Sequence, residues 1–290
     1  MVNHNLVEGR AVLTSTREHG PTPSPYHTYL RLPDLLELQQ PRSENPDELQ
    51  FIVAHQAIEL LFRLVLHDLR RVVDQLDNDS WHEAGTGLVR LNRTVALAVE
   101  LTRSLRDLPA GSFHQFRGHL GSASGAQSTQ YRQIEILSGL RDEKHLATQR
   151  KFNGGALPSV VKNAMAERSL ADAHRAAGLR SGVVDWAEFW HANPGSSALH
   201  HISEQLLEYD ELWLRWRTEH VVLVERMSGL SSTGTAGTDP ITFLGQTLRY
   251  RFFPHLWSAR ATLAVRATED KPITSNPALA PASVPGGVSW

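Results

Sequence analysis

Apolar residues recur at alternating steps of four and three along two stretches of this 290-residue chain, the spacing that lines one face of an α-helix. Phe51, His55, Ile58, Phe62, Val65, Leu69, Val72 and Leu76 share the first face; Ile202, Leu206, Tyr209, Trp213, Trp216, His220, Leu223 and Met227 share the second. The pattern predicts long helices from about Asp47 to Leu76 and from Ser197 to Met227. A third is predicted from Ser80 to Leu105, with Ser80 and Glu83 spaced as a capping box and Pro109 just beyond the end. Shorter helices are expected over 159–177 and 183–192, with Gly178 and Gly182 between them and Pro194 after the second. Ile241 to Thr268 resumes a helical pattern, interrupted at Pro254.

The punctuation between these stretches sets the organisation. Prolines 21, 23, 25, 33 and 41 make the first 45 residues an extended arm, with a short helix expected around Leu35 to Gln39. Ser112 to Gln133, which contains GHLGSASGAQS, reads as a loop. Residues 46–268 form the helical domain, and 269–290, rich in proline, alanine and serine, read as a flexible tail. No period-2 run and no internal repeat is present, so the fold class is all-α.

Composition removes several classes of function. With 29 basic and 31 acidic residues the formal charge is −2, so no global field attracts nucleic acid or an anionic membrane surface. No run of 18 apolar residues occurs and the start MVNHNLVEGR is polar, which makes the cytoplasm the default location. There are no cysteines, hence no disulfide, thiolate nucleophile, cysteine zinc site, iron–sulfur cluster or thiolate-ligated haem.

Against that background the two stripe histidines carry the chemistry. Both are expected to be buried, and a buried imidazole left unpaired costs roughly 1–3 kcal/mol, so each needs a hydrogen-bond partner, a metal or a ligand. Taken singly, each is open to reading as a core residue bonded to a neighbour. A di-iron bundle requires Glu-x-x-His from two helices. Only Glu188 and His191 supply that spacing, and His55 with Glu59 is an isolated pair. Haem fits better, because it needs one neutral imidazole, an apolar pocket and control of the opposite iron position. Trp213 and Trp216, two turns and one turn before His220, could pack against a porphyrin.

Several blocks match a known family. FIVAHQAIELLFRLVLHDL (51–69), SFHQFRGHLGSASGAQSTQYRQIE (112–135), WRTEHVVLVERMSG (216–229), GTAGT (234–238) and RFFPHLW (251–257) together resemble the tryptophan 2,3-dioxygenase family, as does the arm PYHTYLRLPDLLELQ (25–39). The blocks keep the family order over roughly residues 25–265.

The resemblance implies a helical bundle around a buried b-type haem that uses O₂ on the indole C2–C3 bond of L-tryptophan or a close analogue. It implies His220 as the proximal iron ligand, with Trp216 and Phe116 against the cofactor. It makes His55 the residue facing the indole N–H, Arg117 the clamp on the substrate carboxylate, Thr235 a contact to the amino-acid end and Phe51 a wall of the indole pocket. Ser124 is placed near the distal side, and Tyr26 and Tyr29 are expected to reach a neighbouring subunit's pocket through an exchanged arm in a homotetramer. The chain departs from the family pattern at Ile58 and Leu61, where tyrosine and tryptophan are usual, at Ala126, where phenylalanine is common, and in GTAGTDP. Such changes reshape a pocket. They keep open two alternatives: single-oxygen delivery to a substituted tryptophan in secondary metabolism, and a helical scaffold that has lost its haem.

Overall fold

The structure, a computed structural model, describes residues 24–152, 154–192, 195, 197–229 and 240–269. These fall into two compact units, up to Pro41 and from Arg42 onward. The first carries two short helices, α1 (Pro25–Leu30) and α2 (Leu32–Leu36), where one helix at 35–39 was expected. Arg31 joins them in a left-handed conformation (φ 52°) and pairs with Asp34 at 2.9 Å. The expected tail beyond residue 269 lies outside the described residues.

The second unit is built on α3 (Glu48–Asp77), α4 (Trp81–Ser104) and α11 (Ala198–Ser228). Between α4 and α11 lie α5 (Ala110–Arg117), α6 (Thr129–Ser138), α7 (Glu143–Phe152), α8 (Ser159–Ala166), α9 (Leu170–Arg180) and α10 (Trp186–Ala192); α12 (Pro240–Thr247) and α13 (Pro254–Glu269) follow. There is no strand among the described residues, and the fold is all-α. Both α3 and α11 pack along α4. The stripes do what their spacing predicts: Val65, Leu69, Val72 and Leu76 meet Leu88, Leu91 and Val95 of α4 and Ile202, Leu206, Tyr209 and Trp213 of α11 in one core, all fully buried. A Cβ at Gly87 would lie 2.8 Å from the Val72 side chain, so the close approach of α3 and α4 requires glycine there. By length and mean hydropathy α3 is apolar enough to cross a membrane, yet this core is what its apolar face covers.

Several local expectations are corrected. Ser80 stands at the N-cap of α4, but its hydroxyl makes no capping bond. The turn from α3 is so tight that the Ser80 N–H donates to the Gln75 carbonyl at 2.9 Å, which occupies the group Glu83 would otherwise satisfy. The stretch 159–177 is two helices, because Ser169 and Asp172 form a reciprocal capping box that starts α9 afresh. Ser112 to Gln133 is not one loop: α5 and α6 flank an irregular segment of 118–128 that contains two short 3₁₀ turns. Phe113 and Phe116 of α5 pack against Phe51 at ring separations of 6.0 and 5.4 Å, and this tertiary contact fixes a helix in a glycine-bordered sequence.

Two anchors hold α11. Asp210, fully buried, accepts from the main-chain N–H of Phe252 (2.7 Å) and Phe253 (3.1 Å) and from the Trp257 indole (3.0 Å), which explains the RFFPHLW block. Burial raises the Asp210 pKa against those bonds, which lower it. Arg217 donates to the Tyr131 hydroxyl at 3.1 Å and the Tyr250 carbonyl at 3.2 Å.

A buried histidine relay joins α9, α11 and α13. The Ser203 hydroxyl donates to the Leu199 carbonyl (2.8 Å) and so accepts from His174 Nε2 (2.9 Å). His174 Nδ1 is then the acceptor for His255 Nε2–H at 3.3 Å. Burial first, then the neighbouring positive charges, pushes His174 down to about 3 and His255 down to about 4. Both are neutral in the fold and take up protons more readily when unfolded, near pH 6.5. Their contribution to stability is therefore complete above about pH 6.5 and is lost as pH falls toward their folded values. Thermal unfolding followed by circular dichroism is expected to show a lower Tm at about pH 5 than at about pH 7. In His174→Gln, which keeps a donor for Ser203 but does not titrate, the drop should be shallower; an equal drop would remove His174 from the account.

Candidate active site

The two stripes leave the main core at the same end of the bundle. On α3, Ile58 is still core, Phe51 is half-buried and His55 is exposed. On α11, Trp216 is core, His220 is half-buried, and Leu223 and Met227 enter a second apolar cluster with Ala54, Leu105, Leu108 and Phe116. The full burial expected for His55 and His220 is thus corrected: His220 lines a recess beside the main core, and His55 stands exposed on α3. Each keeps accessible surface, yet enough protein surrounds both rings for burial to be the largest cause of their lowered pKa values. His220 is held down to about 4, with the charges of His55 and Arg132 as further causes. The charge of His55 is felt at His220, so the two imidazoles are neighbours across the bundle end.

His55 has a defined tautomer. Its Nδ1 lies 2.7 Å from the Phe51 carbonyl, which can only accept, so Nδ1 carries the hydrogen and Nε2 presents a lone pair. Phe51 packs on the same ring at 4.1 Å. Glu59, one turn further along α3, opposes the fall in His55 pKa, but desolvation outweighs it. Glu59 is bound by Gln130 and is no partner in a metal pair with His55. Glu188, of the other carboxylate–histidine pair, bonds to Arg266.

His220 makes no hydrogen bond among the described residues. Trp216 packs on its ring at 5.5 Å, and Tyr131 packs on Trp216 at 4.7 Å. The adjacent Glu219 is taken by Arg103 (3.2 Å) and Arg106, which fixes this turn of α11 against the end of α4. Across from His220 lies Gly125: an added Cβ would stand 3.9 Å from Cε1 and 4.0 Å from Nε2 of the imidazole. Ala126, Tyr131, Arg132, Arg217, Leu244 and Thr247 complete this part of the wall.

Arg117 ends α5, half-buried, with its guanidinium 6.0 Å from the Phe113 ring and no hydrogen bond or ion pair among the described residues. Ser124 spends its polar groups on the loop itself, accepting from Ala126 N (3.3 Å) and donating its own N–H to Gln127 (3.0 Å). Phe116 is wholly buried behind Phe51. Thr235 lies outside the described residues. Tyr26 and Tyr29 sit on α1, 64% and 87% exposed. Of the departures from the family pattern among the described residues, Ile58 and Leu61 belong to the main core and Ala126 borders the recess; GTAGTDP lies outside them up to Asp239.

Sequence reasoning missed Gly125, Tyr131 and Arg132 as wall residues. The signal was an aromatic–arginine pair directly after a small-residue loop. It also missed Arg217, which the apolar stripe conceals because it lies beside it.

The residues present fit a haem. The donor set is one neutral imidazole without a hydrogen bond, flanked by indole and phenol rings, and among the described residues no three His, Asp or Glu side chains converge to hold a bare ion. A neutral imidazole is an axial ligand that haem iron accepts from a protein without cysteine.

A family model described as tryptophan 2,3-dioxygenase matches residues 13–192 and 186–263. The tryptophan 2,3-dioxygenase of Caulobacter vibrioides is 33% identical over 262 residues, covering 82% of this chain and 98% of the relative. That of a Nocardioides species is 33% identical over 265 residues (82% and 94%), and that of Bacillus thuringiensis is 27% identical over 288 (90% and 99%). With matches that run through both histidine helices and nearly the full length of these relatives, the chain belongs to the tryptophan 2,3-dioxygenase family.

Proposed function

We propose that this chain is a haem-dependent oxygenase that opens the indole ring of L-tryptophan with O₂, giving an N-formylkynurenine-type product. The observation that carries the reading is the proximity of a neutral imidazole at His220, with no hydrogen bond among the described residues, to a second imidazole at His55 whose Nε2 is an acceptor. His220 would hold the iron, with Trp216 against the cofactor; Phe116 contributes from behind Phe51. Bound haem supplies the oxygen chemistry, and the protein supplies binding and orientation.

The chain's own residues do the positioning. His55 Nε2 accepts the indole N–H, while Phe51, packed at a tilt on His55, gives the indole an apolar wall. Arg117, free of other partners among the described residues, offers a planar fork of donors to the substrate carboxylate. Holding both ends of the amino acid fixes the C2–C3 edge, and orientation of this kind accounts for several kcal/mol of a barrier, up to about 7–11 in favourable cases. Following the family resemblance, Thr235 joins Arg117 at the amino-acid end and Ser124 borders the distal side. Tyr26 and Tyr29, exposed on α1, are assigned to the pocket of a neighbouring subunit in a homotetramer.

Turnover of L-tryptophan under labelled O₂ tests the reading. Both labelled atoms are expected in a ring-opened product with no added reductant. One labelled atom in an unopened indole would overturn it.

A further inference from the structure

Gln130 grips Glu59 twice. Its side-chain amide donates at 2.8 Å to the Glu59 main-chain carbonyl and at 2.8 Å to the Glu59 carboxylate. Glu59 has no ion pair among the described residues, so this carboxylate is held by a neutral amide alone.

The pair ties the helix of His55 to the helix that follows the loop beside His220. Glu59 stands on α3, one turn beyond His55. Gln130 is the second residue of α6, directly behind the irregular segment that brings Gly125 to the His220 ring. That segment's own bonds are local: Ser124 and Gln127 cap each other, Ala123 N–H reaches the Leu120 carbonyl, and the Ser128 hydroxyl caps α6 by accepting from Tyr131 N. Among the described residues, the two bonds to Glu59 are the only side-chain hydrogen bonds that carry 118–130 across to another helix.

Local bonds define the loop's shape but not its distance from α3. We infer that the Glu59–Gln130 pair is a positioning device that sets the Gly125 loop against the His55 turn, fixing the separation of the walls between which substrate is held. The inference rests on the proposed function for what the recess holds; the grip itself does not.

Hydrogen exchange on the full chain without haem tests the grip. In Glu59→Ala and in Gln130→Glu, which opposes two carboxylates, amides of 121–128 are expected to exchange about tenfold faster while core amides of α4 and α11 stay unchanged. The charge-swapped pair E59Q/Q130E restores the amide–carboxylate bond but not the bond to the main chain, so roughly half of the logarithmic effect should be recovered. Should Glu59→Ala fail to fold, Gln130→Ala removes the carboxylate bond from the loop side, together with the bond to the Glu59 carbonyl, and is expected to speed exchange at least as much. In the haem-loaded chain, Gln130→Glu is expected to raise KM for L-tryptophan about tenfold with a smaller change in kcat, and the swap to reverse roughly half of that on a logarithmic scale. Unchanged loop exchange in Gln130→Glu, or a charge swap no better than that single variant, would overturn the inference. Failure of the parent chain to take up haem would instead count against the proposed function, leaving the exchange comparison intact.

Discussion

Replacing His220 by alanine is expected to abolish stable haem binding while leaving the helices in place. In the fold the imidazole is neutral, because burial holds its pKa down to about 4, and it makes no hydrogen bond among the described residues. Its removal therefore strands no hydrogen-bond partner there. Alanine is also the residue most favourable to a helix interior. The turn stays anchored by Glu219 to Arg103 and Arg106, and by Arg217 to Tyr131 and Tyr250. The cost then falls on the iron ligand. Haem titration should show at least a tenfold loss of affinity, equivalent to about 1.4 kcal/mol or more, with loss of the parent's Soret band. Far-ultraviolet circular dichroism should be unchanged. Full occupancy with an unaltered spectrum would refute the ligand assignment.

Arg117→Ala is expected to separate recognition of the amino acid from recognition of the indole. A charge-assisted bond to a carboxylate contributes about 1.5–3 kcal/mol, which predicts roughly 10- to 100-fold weaker binding of L-tryptophan. Tryptamine, which keeps the indole and the amine but has no carboxylate, should lose less than about threefold. The local structure gives the substitution little polar bonding to disturb, since among the described residues the guanidinium makes no hydrogen bond or ion pair and lies 6.0 Å from the Phe113 ring. Equal losses for both ligands in a binding titration would mean that Arg117 acts through the fold and not on the carboxylate.

The long helices were legible because burial enforces period: from Ile58 to Leu76 and from Ile202 to Trp216, each stripe position enters the core. The same regularity misled at the stripe ends. Periodicity assigns a face to His55 but not what covers it, and the face outlasts the core by two turns. Where the structure overrides the sequence, the deciding interactions are tertiary or reciprocal. Phe51 recruits α5 out of an apparent loop. Gln75 takes the amide on which the Ser80 capping box depended. Ser169 and Asp172 restart a helix that a periodic reading runs through, though their S-x-x-D spacing was visible in the sequence.

The site was legible differently. Composition excluded the cysteine chemistries, the stripes delivered two histidines, and the quoted blocks assigned them roles. What the sequence did not supply was their juxtaposition, the tautomer of His55 or the glycine facing His220. Each depends on how α3, the 118–128 segment and α11 are brought together. The same holds for Asp210, whose three bonds bind two distant blocks into one scaffold, although nothing in its own neighbourhood marks it as a buried carboxylate.

The central claim is that the two imidazoles define a haem and substrate site in this chain. Anaerobic titration of the full chain with ferrous haem, followed by L-tryptophan, tests it most directly. The account predicts saturation at one haem per chain with a histidine-ligated Soret band, and a further spectral change when L-tryptophan fills the His55 side. No Soret band at equimolar haem, or a band indifferent to L-tryptophan, would contradict it.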